Sequence, residues 1–440
     1  MIKNIRFIIV LFLFTVTAIG VKAQSTATTS SPYSRYGLGD INPMLLPQNV
    51  AMGGIGVATN RVGNFYSINP LNPASYSSIG LTVIDIGTYA KINTLEKTGS
   101  PSQTNTNIRL SHIAFGIPIS KRSAISFGLM PYSELGYSYR QVSSNFGTGL
   151  PADTNAVNYV YSGDGGLTKF YVGYGFGIGK HLSIGANVSY IFGNLKETQS
   201  TEMPTVGSFL NSRIEESNSI TGLNYDYGAQ YTIDLSARKH LTLGYSASAN
   251  TKLNTSNSYI VSSYYTNTNG EQAVATDSLV NNQQPSAKIQ LPMINRFGIS
   301  YQNDGKFLVG ADYTMSNWSK LTVAGVNKDL KDSKTFNVGG QFTPNINSLS
   351  NYFATVDYRL GFIYDQTYLK VNNTDIKRYA VTGGIGLPLR ANNTSFYRIN
   401  IAAEVGKRGT LTNNLVKENY INIHLSFTLN DKWFQKYRFD

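Results

Sequence analysis

Histidine has the widest catalytic and metal-binding repertoire of any side chain, and this chain has four: His112, His181, His240 and His424. None sits at metal-pair spacing from another, and no motif joins one to a nucleophilic serine. No glycine-rich phosphate loop follows a strand and opens a helix. The expectation is a protein that is not an enzyme, with no catalytic residue, no metal and no cofactor. Recognition chemistry is left. Asp226, Arg296, Asp312, Asp357, Arg359, Arg398 and Glu404 fall on the polar face of alternating segments. Arg359 and Arg398 are the candidate ligand contacts, since a guanidinium can clamp a carboxylate through two parallel bonds. Pairing among these charges is the structural alternative.

Two further features carry backbone chemistry. Asn72-Pro73-Ala74 places a fixed φ after a residue pushed toward extended geometry, and the Asn72 side chain can satisfy nearby buried backbone. Pro131 lies within Ile125–Ser133, which otherwise reads as strand. Proline cannot donate to a ladder, so a bulge or kink is expected there.

The elements that must position these residues are strands. From about Leu81 onward apolar residues recur at period two. Phe170, Val172, Tyr174, Phe176 and Ile178 share one face, and glycines dominate the other. Ile421, Ile423, Leu425, Phe427 and Leu429 oppose Asn422, His424, Ser426 and Thr428. Fourteen such segments fall near 81–92, 108–119, 123–140, 166–179, 181–195, 213–235, 240–255, 287–302, 305–317, 334–343, 351–366, 375–390, 395–408 and 418–429. They are long enough to cross a bilayer, which takes about 9–11 tilted residues. Links after even-numbered segments are short, such as Ser120-Lys121-Arg122 and Ala391 to Thr394. Links after odd-numbered ones, such as 141–165, 196–212 and 256–286, are long and polar. That asymmetry is the one expected of outer-membrane barrels, with short periplasmic turns and both termini in the periplasm. The reading is an all-β, 14-stranded antiparallel transmembrane barrel over 81–430, with a short tail at 431–440. A parity shift between Leu110 and Ile113 implies a bulge.

Residues 1–23 read as an export signal: Lys3 and Arg6, an apolar core over 8–18, and Ala23 before Gln24. The chain has 30 Tyr, 21 Phe and 41 Gly but no Cys. Aromatic girdles and tightly curved strands account for the first three. The net charge is +12, three units of it from Lys3, Arg6 and Lys22. Basic residues are scattered and the chain is exported, so nucleic acid is excluded as a partner. Outer-membrane lipid or lipopolysaccharide is a partner that this charge suits.

Residues 24–80 lack the alternation. They combine turn formers with apolar groups such as Tyr33, Leu38, Met52, Ile55 and Val57, a composition too apolar for a disordered tail. A fourteen-stranded lumen is wide enough to need filling, so this segment is expected to plug it. The run Ala51-Met52-Gly53-Gly54-Ile55-Gly56-Val57-Ala58, then Asn64-Phe65-Tyr66 and Asn72-Pro73-Ala74, resembles the N-terminal hatch of the FadL family of outer-membrane transporters. The opening Ser31-Pro32-Tyr33-Ser34-Arg35-Tyr36-Gly37-Leu38-Gly39 resembles a Bacteroidetes-type branch that has PorV-like relatives.

The resemblance implies fourteen strands, a hatch built on Met52, Gly53, Gly54, Gly56, Asn72, Pro73 and Ala74, and a wall opening at a kink in the third strand. Pro131 is where that opening falls. The implied function is passive transport of hydrophobic small molecules, long-chain fatty acid-like, by lateral release through the wall. The alternative is a barrel serving as subunit or scaffold of an outer-membrane secretion or assembly complex, with loop 256–286 as its contact. A greasy pocket joined to a wall gap favours the first; a sealed lumen with an apolar rim favours the second.

Overall fold

A computed structural model of the chain describes residues 31–60, 65–145, 155–203, 210–265, 277–283, 286–323, 325–327, 329–389 and 395–433. The export signal at 1–23, Asn64, the 391–394 link and most of the 431–440 tail lie outside the described residues.

Fourteen antiparallel strands close into one barrel. They are β1 (Thr82–Lys97), β2 (Ser100–Ser120), β3 (Ser123–Ser144), β4 (Ala156–Ile178), β5 (Leu182–Glu202), β6 (Asn211–Ser236) and β7 (Lys239–Ser248, continued by Lys252–Tyr264). The circuit goes on through β8 (Ile294–Asn303, preceded by Ala287–Gln290), β9 (Phe307–Ser316), β10 (Ser333–Phe342), β11 (Asp357–Val371), β12 (Thr374–Leu389), β13 (Ser395–Gly409) and β14 (Val416–Asp431). Closure is between first and last: β14 pairs β1 from Thr82↔Asp431 to Lys97↔Val416. Each strand hydrogen-bonds to its sequence neighbour, so closure satisfies backbone groups that lipid cannot.

The barrel is apolar outside and packed inside. Val172, Tyr174, Phe176, Leu425 and Phe427 are 36–45% exposed and point outward. The buried residues face the lumen, among them Asn187, Asp226, Asp312, Asp357, Arg359, Arg398 and Glu404. No helix among the described residues is long and apolar enough to cross a membrane; the strands do so instead.

The structure departs from the expected outline in four places. The first and eleventh links are tight hairpins, Thr98-Gly99 and Asn372-Asn373, where long polar loops were expected. Gly99, Asn372 and Asn373 all have positive φ, which tight two-residue hairpins favour. The tenth link, expected short, spans 343–356. Strand β11 therefore starts at Asp357, because Asn351 accepts a bond from Phe353 N–H and caps a 3-10 turn over Tyr352–Thr355. Third, strands β3 to β6 run for 22, 23, 21 and 26 residues, whereas β9 and β10 have ten each. One side of the wall therefore stands far above the membrane. Finally, the first described residue is not at the periplasmic rim. Ser31 donates to Glu418 (2.6 Å) and its N–H to Gly136 O (3.1 Å), in the opposite half of the lumen from Thr82.

Two of the bulges in the wall bear on the site. At Ser111 the partner of Gly87 is His112 and that of Thr88 is Leu110, which accounts for the parity shift. At Tyr132 the register of β3 against β4 slips between Pro131 and Ser133.

Candidate functional site

Residues 31–60 and 65–81 lie inside the barrel and contact most of its circumference. Near the outer end, Tyr33 donates to Val416 O, and Asp40 receives Arg408 at 2.7 Å. Asp40 and Ile41 form a two-residue strand paired with Glu134 and Ser133 of β3, and Asn42 N–H donates to Tyr132 O (2.9 Å). Lower down, Pro47 opens the short helix Pro47–Val50, where its missing N–H costs nothing. The chain then turns through Met52-Gly53-Gly54, with both glycines at positive φ.

This turn presses backbone directly on backbone. Gly53 N–H donates to Thr382 Oγ1 (2.8 Å), and Asn337 donates to Gly53 O. A Cβ at Gly339 would lie 2.2 Å from Met52 O, and one at Gly361 2.1 Å from Gly53 N. The next contact follows the same rule: a Cβ at Gly244 would lie 2.2 Å from Val57 O. The glycine-rich luminal face thus leaves room for main chain, a use that curvature alone does not require.

Asp312 accepts both Gly56 N–H (2.7 Å) and Val57 N–H (2.9 Å) through one carboxylate oxygen. Gln230 donates to Val57 O (2.9 Å) and Ser300 to Ala58 O (2.8 Å). Asn72 donates to Val57 O (2.6 Å), while its carbonyl oxygen caps Ala74 N–H (3.1 Å). Ala74 and Pro73 open the 3-10 turn Pro73–Ser78, whose Tyr76 donates to Asn187 (3.1 Å). Met52, Gly53, Gly54, Gly56, Asn72, Pro73 and Ala74 are thereby brought together on the inside of the wall, held by β6 to β12. At the periplasmic rim Tyr66 and Asn430 exchange two bonds of 2.9 Å.

Apart from Arg296, which has no ion pair among the described residues, and Asp312, which holds main-chain N–H groups, the luminal charges singled out in the sequence are paired. Asp357 holds Arg398 (2.7 Å) and Arg359 (3.1 Å). Arg359 also gives Nε to Gln341 and Nη1 to Asn400, and Arg398 lies 3.8 Å over the Phe65 ring. Both arginines thus already grip a carboxylate of this chain. Lys169 pairs with Asp226 at 2.6 Å, and Tyr420 donates to Glu404 at 2.6 Å. The fully buried His112 and Asp85 are 2.7 Å apart, with Thr428 donating to the other Asp85 oxygen. His181 stands in the periplasmic turn between β4 and β5, and His240 is the second residue of β7, paired with Asp234 of β6.

Among the described residues the wall parts between β2 and β3. Strands β2 and β3 pair only from Ser120↔Ser123 up to Ile113↔Leu129. Beyond that, Ser100–His112 and Met130–Ser144 separate, with Pro131 and the Tyr132 bulge at the start of the divergence. The freed edge of β3 is where Ser31, Asp40, Ile41 and Asn42 attach. Arg109 of β2 crosses to Glu134 of β3 at 2.9 Å, and Tyr89 of β1 donates to the same carboxylate. Glu134 and Arg109 escaped the sequence reading because the Tyr132 and Ser111 bulges flip the parity of everything beyond them. Of loop 256–286, residues 266–276 and 284–285 lie outside the described residues; Tyr264 is buried against Arg213, and Tyr265 is 41% exposed.

A closed fourteen-strand barrel with this inner segment has the fold of the FadL-type outer-membrane barrels. The toluene transporter TbuX of Ralstonia pickettii superposes with a TM-score of 0.56 at 16% identity, over 90% of this chain and 99% of that one. A Pseudomonas aeruginosa FadL homologue gives 0.55 at 13%, over 90% and 100%, and the P. putida toluene transporter TodX gives 0.56 at 14%, over 91% and 100%. At those identities the likeness is one of fold. No curated protein matches the chain. The BamG family model matches residues 1–440, and the chain belongs to the BamG family.

Proposed function

We propose that this chain is a plugged barrel acting as a fixed subunit of an outer-membrane secretion or assembly complex. One observation carries the reading: the inner segment, over its described residues 31–60 and 65–81, is seated on the wall through its own main chain, from Glu134 to Asn430, at contacts too close for a Cβ. A gate that opens for each passing molecule would have to break these bonds together. The tenth link supports the reading from outside. At the periplasmic rim Leu349 is 95% exposed, Phe353 69% and Tyr352 47%, a cluster suited to a protein partner. Affinity isolation from native membranes tests it. Leu349→Ser with Phe353→Ser should lose a co-purifying partner at unchanged surface level. A partner set identical to that of the parent protein would sink the proposal.

The β2–β3 divergence favours a second reading, passive transport of hydrophobic small molecules with lateral release beside Pro131. In that case the Asp40–Ile41 strand and the Arg109–Glu134 pair form the closed state of the exit. Uptake of a hydrophobic probe by cells carrying Arg109→Ala decides it. Uptake above the parent level supports transport, and uptake equal to that of cells lacking the protein removes it.

A further inference from the structure

The lipid face carries a groove of about 500 Å³ across five strands, β11 to β14 and β1. Register aligns Phe362, Val381, Val405, Ile421 and Ile92 in one row around the wall. All five have the outward parity, and the inward residues between them include Ala380 and Gly406, which add little bulk to the floor. Two residues nearer the extracellular hairpins, the next outward row is Tyr379, Lys407, Asn419 and Thr94. Lys407 Nζ lies 5.8 Å from the Tyr379 ring centre. Lys377 follows on the same face of β12, since it is two residues from Tyr379. Neither lysine forms an ion pair among the described residues, and both are exposed.

The wall here passes from an apolar row to an aromatic and amide row and then to lysine. That is the order of a bilayer leaflet read from acyl chains to headgroup, and it lies in the half of the wall nearer the extracellular hairpins. Four strand spacings make the groove about 19 Å wide. In the polar row Asn419 donates to Glu96 (2.6 Å) and Thr94 bonds Thr104 (2.9 Å), which leaves the two lysines to offer charge to a phosphate.

We infer that this groove seats one phosphorylated, multiply acylated glycolipid of the extracellular leaflet. Its acyl chains lie across the Val381–Val405–Ile421 row, and a phosphate meets Lys407 and Lys377. The inference depends on neither functional reading, because it concerns the outside of the wall.

The test uses the full mature barrel, purified in detergent and mixed with equal amounts of lipid A and phosphatidylglycerol, with bound lipid read by native mass spectrometry. The expected result is a single lipid A adduct. Lys377→Glu with Lys407→Glu should lower its occupancy about tenfold. Val405→Trp, which fills the groove without touching charge, should lower it as well. Lys407→Arg should keep it, and Lys334→Glu, outside the groove on β10, should leave it unchanged. Heat-modifiable migration on gels confirms that each variant is a folded barrel. Equal occupancy in the parent, the charge-reversed and the Val405→Trp proteins would overturn the inference. So would a phosphatidylglycerol adduct as abundant as that of lipid A, or a ladder of adducts with no preferred stoichiometry.

Discussion

Arg109 reaches across the only parting found in the described wall to Glu134, Nη1 to Oε1 at 2.9 Å, where β2 and β3 no longer share hydrogen bonds. Glu134 is 5% exposed, so this pair replaces the ladder with a buried charge contact. Removing one partner of a buried ion pair typically costs about 3–5 kcal/mol, because the other is left uncompensated. Arg109 is partly exposed, which places the cost of Arg109→Ala at or below the low end of that range. Hydrogen exchange should report it: Asp40, Ile41 and Asn42 amides should lose protection in Arg109→Ala while amides of β12 to β14 keep theirs. Uniform loss across the barrel would mean that the pair holds the whole wall and not the opening.

Close packing of the inner segment gives a second prediction. Gly339→Val and Gly244→Val place side-chain carbon where Met52 O and Val57 O now sit. The barrel strands can still pair, since both positions face the lumen, but the 52–58 turn must leave the wall. In planar bilayers the parent protein should be electrically silent and these variants should conduct ions, because the lumen lining is polar. A barrel from which residues 32–78 are deleted should conduct too. Silence in all three would show that something other than this segment blocks the lumen.

Asn72 links Val57 to the Pro73–Ser78 turn, and truncation to alanine leaves Val57 O short of a donor. Unpaired buried polar groups cost about 1–3 kcal/mol. Gln230 also donates to Val57 O, which places Asn72→Ala toward the lower figure. Limited proteolysis should cut the 52–74 region faster in Asn72→Ala than in the parent. Unchanged cleavage would remove Asn72 from the scaffold of the segment.

On the outer face, Phe176 is 36% exposed to lipid. Phe176→Arg should cost about 2–4 kcal/mol if it sits near the midplane and about 0–1 near an interface. Urea unfolding of the barrel from vesicles measures the difference. Phe176 pairs with Ser123, which directly follows the Lys121-Arg122 turn, and this favours the smaller figure. A cost near 4 kcal/mol would shift the membrane toward that rim.

Pro131→Ala separates the two functional readings. It supplies an N–H beside the β3 bulge and tends to extend the β2–β3 ladder. The subunit reading expects normal partner recovery and no change in probe uptake. The transport reading expects uptake to fall at normal surface level.

The strands were legible in the sequence because a barrel wall obeys a local rule. Lipid on one side and lumen on the other make every second residue apolar, and Val172-Gly173-Tyr174-Gly175-Phe176 states that rule within five residues. The same parity placed Asp226, Asp312, Asp357 and Arg359 inside. Local turn chemistry was legible in part: Asn372-Asn373 can fold as a two-residue hairpin, but nothing nearby shows that β11 and β12 extend far enough to need one. What the tertiary structure alone decided is which groups meet in the lumen. Gly56 and Asp312, or Asp40 and Arg408, are separated by hundreds of residues and meet only when β14 closes on β1. The parting of β2 from β3 is of the same kind. Pro131 marks a weak point in one strand, but whether the freed edge meets lipid, a partner or Asp40–Ile41 depends on where the N-terminal segment lies once the barrel has closed around it.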